Sequence, residues 1–110
     1  MERILLFSLR NESIKVTIEA FFDKDGNLVI DGYDIGKTVN EYWGDSDYEY
    51  SSRVTADGVE KLYLLFSIEA GNKMELLQAL AAKFNTNSCY SDLQKLFDLH
   101  GIHYAGFSWK

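Results

Sequence analysis

The sequence predicts an α+β fold: a mostly antiparallel sheet with two to three helices packed on one face. Three observations carry this. A period-2 apolar pattern runs from Ile14 to Phe22, followed at once by an Asp-Gly turn and Leu28-Val29-Ile30. Helix-start patterns, a capping residue followed three positions later by Glu or Gln, cluster in the second half, at Asp57/Glu60, Asn72/Glu75 and Ser91/Gln94. A last β-compatible stretch, Ile102–Trp109, closes the chain after those helices. Strands first, helices next and one strand returning is an α+β order.

The chain has 110 residues, read as a single domain spanning 1–110. A domain of this length buries roughly 65% of its unfolded surface, enough for a core without staples. The single cysteine, Cys89, leaves no partner for an internal disulfide. The start, MERILLFSLR, lacks the long apolar core and small-residue cleavage site of a signal peptide. No apolar run approaches the roughly 20 residues that span a bilayer. The expected location is the cytoplasm.

Each element has its own reason. Residues 3–10 are apolar with a late alternation and read as a strand, with a turn at Asn11-Glu12-Ser13. In the next strand Ile14, Val16, Ile18, Ala20 and Phe22 share a face, with Lys15, Thr17, Glu19 and Phe21 on the other. The register of the following hairpin can be argued. A two-residue Asp-Gly loop would set Phe22 against Val29 and oppose the wrong faces. A three-residue loop, with a type I turn and left-handed Gly26, sets Phe22 against Leu28 and Ala20 against Ile30, apolar on apolar. Asp23-Lys24-Asp25-Gly26-Asn27 has the look of a calcium loop, but Phe21 and Gly32 would then occupy the first and twelfth ligand positions, and neither can bind.

Asp31-Gly32 reads as a further turn. Gly36–Trp43 reads as a short helix, with Val39, Tyr42 and Trp43 on one face and Gly44 as its cap. Trp43 is the natural core anchor under it. Asp45-Ser46-Asp47 reads as a loop. Tyr48–Thr55 is a strand with Tyr48, Tyr50, Ser52 and Val54 on one face. A helix then starts from Asp57, with Val59, Leu62, Tyr63 and Phe66 as its stripe; the alternative is a buried strand over Leu62–Ile68. Asn72 starts a second helix, with Met74, Leu77, Leu80, Ala81 and Phe84 apolar. Ser91 starts a third, with Leu93, Leu96, Phe97 and His100, and Gly101 ends it.

Net charge is −6. That disfavours a partner recognised through phosphates, because such binding depends on Lys and Arg, and the eleven here form no basic run. Nucleic acid and anionic membrane surfaces are therefore not expected partners, and a basic protein is. Aromatic content is 15%, high enough to place some rings at an interface, whether with another protein or in a homodimer.

No catalytic constellation is legible. Cys89 reads as a residue of a polar loop before a helix, and no spacing ties it to His100 or His103. The chemistry-bearing stretch is Asp31–Tyr50, with six carboxylates against one cation, Lys37, and five aromatics. Within it Asp34, Tyr42, Asp45, Asp47, Tyr48, Glu49 and Tyr50 are the candidate interface, because tyrosines anchor interfaces and carboxylates attract Arg and Lys. If the strand extends back to Asp47, then Asp47 and Glu49, two apart, point the same way. With Asp45 they form the alternative, a small metal-binding or acid–base site built from carboxylates. No cofactor is expected.

The runs Gly32-Tyr33-Asp34-Ile35-Gly36 and Tyr42-Trp43-Gly44-Asp45-Ser46-Asp47-Tyr48-Glu49-Tyr50, with His100-Gly101-Ile102 and Phe107-Ser108-Trp109 at the other end, resemble a motif of small uncharacterised bacterial proteins of about this length. Some of these are similar to immunity proteins that neutralise toxins of polymorphic toxin systems. The resemblance implies a non-enzymatic, protein-binding role and brings no catalytic residues.

Overall fold

The register of the central hairpin is the one that pairs apolar with apolar. In a computed structural model, which describes residues 3–10, 14–36, 47–86 and 88–109, Phe22 stands opposite Leu28 and Ala20 opposite Ile30. The turn closes through Gly26 N–H to Asp23 O at 3.1 Å and Asp23 N–H to Asn27 O at 2.9 Å, with Gly26 at φ +82°. The Asp23 carboxylate is used by the turn itself. It accepts from the Asp25 and Asn27 amides at 3.0 and 2.9 Å and from Asn27 Nδ2 at 3.1 Å.

Among the described residues five strands form one sheet in chain order, antiparallel throughout: β1 (Arg3–Arg10), β2 (Ile14–Phe22), β3 (Leu28–Gly36), β4 (Asp47–Val54) and β5 (Tyr104–Trp109). Three helices lie between β4 and β5 in sequence: α1 (Ala56–Leu65), α2 (Lys73–Lys83) and α3 (Cys89–Leu99). They cover the face that carries Val16, Ile18, Ala20, Phe22, Leu28, Ile30 and Val54, and with these they build one apolar core. Burying that face is what holds helices to sheet, at roughly 25 cal/mol per Å² of apolar surface removed from water. α2 lies over β1 and β2, and α1 contacts β4. α3 lies over β4 and β5, through Tyr90 against Tyr50 and Phe97 against Tyr104. No helix among the described residues is long and apolar enough to cross a membrane.

Several boundaries depart from the sequence expectation. Asp31-Gly32 is not a turn: β3 runs through it to Gly36. Gly32 is buried, and a Cβ there would overlap the ring of Tyr50, so the glycine serves a close approach inside a strand. Gly36 is therefore the end of a strand, not the start of a helix; the rest of the expected helix, including Tyr42 and Trp43, and the cap Gly44 lie outside the described residues. So does the turn at 11–13. Asp47, expected in a loop, begins β4.

Residues 56–65 are helical, so the strand alternative over Leu62–Ile68 fails. Its N-cap is Thr55, immediately after β4, and Asp57 falls in the first turn. There Asp57 faces the positive end of the helix dipole without capping it. The strand-to-helix step is this short because Gly58 lets the first turn press on Val54 and Ile102; a Cβ would stand 2.6 Å from Val54 Cγ1. α2 has the expected cap, with Asn72 Oδ1 accepting from the Glu75 amide at 3.4 Å and Asn72 Nδ2 donating to Glu75 Oε2 at 2.7 Å. Its buried stripe is Leu76, Leu77, Leu80 and Phe84, while Met74 and Ala81 are only partly covered. α3 starts earlier than Ser91, after Ser88, because Cys89 is drawn into the core at 0% exposure. His100 is exposed rather than part of the apolar face. Gly101, at φ +66°, closes α3: the Ile102 amide donates to Phe97 O at 2.8 Å and the Gly101 amide to Asp98 O at 3.4 Å.

Candidate binding face

Strand alternation gives the sheet a second face that the core does not include. β2 supplies Thr17, Glu19 and Phe21 to it, β3 supplies Val29, Asp31 and Tyr33, and β4 supplies Glu49, Ser51 and Arg53. Glu19 stands directly opposite Asp31, and Tyr33 stands between Thr17 and Glu49. Like charges facing each other across a strand pair repel. Arg3 answers both: its Nη1 is 3.3 Å from Glu19 Oε1 and 3.5 Å from Asp31 Oδ2, and its guanidinium lies 4.1 Å from the Phe21 ring centroid. These groups are well exposed, with the Arg3 side chain at 48%, so each ion pair stabilises by roughly 0–1 kcal/mol. Together with Thr17, Tyr33 and Glu49 they line a shallow depression of about 260 Å³, floored by Gly32 and Tyr50 from the strands beneath. Three carboxylates face one guanidinium there.

A second polar group lies on the helix-covered face. The Tyr50 hydroxyl donates to Asp34 Oδ1 at 3.0 Å. The Tyr50 ring meets Tyr90 edge-on, with centroids 4.6 Å apart. The Tyr90 hydroxyl and Ser52 Oγ share a hydrogen bond of 2.7 Å, and Gln94 Nε2 donates to Ser52 Oγ at 3.3 Å. Ser52, 1% exposed, is thereby satisfied, as a buried hydroxyl must be. Burial pushes the Tyr50 phenol up, and the Asp34 carboxylate beside it adds to the shift. Burial also raises Asp34 above the usual carboxylate value, an effect that the Tyr50 hydrogen bond partly offsets. This network joins α3 to β3 and β4 and is a structural seam.

The acidic, tyrosine-bearing edge expected from the sequence is thus divided between two faces. Asp34 and Tyr50 meet on the helix side. Glu49 lies on the other side, with Glu19, Asp31 and Tyr33. Asp47 and Tyr48 take their places in β4, opposite Ile35 and Asp34; their side chains, like all of Tyr42 and Asp45, lie outside the described residues. Glu19, Arg3 and Thr17 were not singled out by sequence reasoning. The available signal was the polar parity of β2, which becomes a site only once β3 is long enough to bring Asp31 opposite Glu19.

Cys89 is sealed in the core, where burial, reinforced by Asp92, pushes its thiol up to about 11. His100 and His103 are both exposed, so the three do not share a site. Among the described residues no group of three or more His, Cys, Asp or Glu is arranged to hold a metal ion. The chain matches no protein-family model, no characterised protein and no solved structure.

Proposed function

We propose that this is a non-enzymatic binding domain that meets a basic protein through the open face of its sheet, the role an immunity protein plays toward a basic toxin domain. The observation that supports it is Glu19 set opposite Asp31 on the face that α1, α2 and α3 do not cover, with Glu49 beside them and Arg3 bridging the pair. Arg3 offsets one of the three carboxylates that line the depression, and a partner's Arg or Lys entering there meets the remaining negative charge. The net charge of −6 adds long-range steering toward a basic surface.

The test is co-purification with the product of the adjacent gene, followed by titration calorimetry at several salt concentrations. The expected complex weakens with salt, and Asp31→Lys or Glu49→Lys weakens it by roughly tenfold or more. A complex indifferent to both changes, or no complex at all, overturns the reading.

A further inference from the structure

An open sheet has two edges, and this one treats them differently. At one edge, β1 carries a bulge between Leu5 and Phe7 and an arginine at each end, Arg3 and Arg10. Bulges and edge charges are means by which sheets refuse a further strand. At the other edge, β5 has neither. Its pairing with β4 runs unbroken from Val54↔Tyr104 to Glu49↔Trp109. Its sequence, YAGFSW, contains no charged residue and no proline. Ala105 and Gly106 are exposed, and among the described residues no strand lies beyond it.

In a chain of net charge −6, most surfaces of two copies repel each other. An uncharged strand edge is where that repulsion is least. Pairing β5 with itself also brings no like charges opposite one another. A twofold axis perpendicular to the sheet makes such a pairing antiparallel, as all others in this sheet are, and self-complementary. We propose that β5 is a self-association edge: two copies join their β5 strands antiparallel into one continuous sheet. The open faces of both copies then lie side by side on the same surface. The inference does not depend on what the acidic face binds.

Sedimentation velocity of the full chain, from micromolar to near-millimolar concentration, tests it. A monomer–dimer equilibrium is expected, and added salt tightens it, because screening weakens the net repulsion while the contact itself has no ion pair. Salt therefore acts in the opposite direction to its effect on the basic-partner complex. Gly106→Lys places a charge on the edge at a position where an added Cβ meets nothing within 4 Å, and Ala105→Glu does so at a second exposed position, opposite Arg53. Each raises the dimer dissociation constant by roughly tenfold or more, with the melting temperature retained. A monomer at every concentration, or a dimer unaffected by either added charge, overturns the proposal. If both variants fail to fold, hydrogen exchange of the unaltered protein decides. Amides of β5 that slow as concentration rises support the pairing, and amides that do not slow refute it. Slowing only when the adjacent gene's product is added assigns the edge to a partner's strand instead and likewise refutes self-association.

Discussion

The ring of Tyr50 occupies the space that a side chain on Gly32 would need: a Cβ at Gly32 would overlap Cε2 and Cζ of that ring. Since Gly32 and Tyr50 are direct partners across β3 and β4, the ring passes over Gly32 and its hydroxyl reaches Asp34, two residues further along. Gly32→Ala should therefore destabilise by about 1–3 kcal/mol through overpacking. In a Tyr50→Ala background the methyl group has room. Urea unfolding of the two single variants and the double variant should give a coupling of about 1 kcal/mol or more. Additive losses would mean that the ring moves aside freely.

Asp34 makes stability depend on pH in a defined direction. Burial raises its folded-state pKa above the unfolded value, so the folded state holds this proton more tightly. That contribution is fully present below the unfolded pKa, about 3.9, and is lost as pH rises through the folded value. At neutral pH the ionised carboxylate is a cost. Asp34→Asn keeps an acceptor for the Tyr50 hydroxyl without the charge. Its unfolding midpoint in urea should exceed that of the parent protein at pH 7 and converge with it near pH 3. A loss at pH 7 would show that the charged hydrogen bond outweighs burial.

Gly26 is needed for its backbone angle and not for space. Its φ is +82°, yet an added Cβ would touch nothing within 4 Å. Gly26→Val should cost about 1–2 kcal/mol, the penalty of a left-handed conformation for an L-residue. Gly26→Asn should cost clearly less, because Asn tolerates that region. Melting temperatures of the two variants rank them, and equal losses would place the cost in something other than φ.

The hairpin, the Asn72 cap and the Gly101 stop were legible because each is decided by residues within a few positions. Phe22 and Leu28 declare their faces through alternation, and Asn72 reaches only to Glu75. Asp31-Gly32 was misread for the converse reason. Locally it is a turn signal, and what makes it strand is Tyr50, far along the chain. The start of α1 was misplaced similarly, since the need for Gly58 comes from Val54 and from distant Ile102. The site followed the same division. The carboxylates themselves could be read, but the facing of Glu19 and Asp31 follows from the length of β3, and the separation of Glu49 from Asp34 follows from which strand face each occupies.

Strand order that follows chain order also sets a schedule. The first four strands end at Val54, before any residue of the helices that cover them. At roughly 5–20 residues per second of synthesis, the stretch from Ala56 to Leu99 takes a few seconds to follow. During that interval Val16, Ile18, Ala20, Leu28, Ile30 and Val54 have no helix to pack against. The first four strands are therefore complete as sequence before the surface that buries them exists.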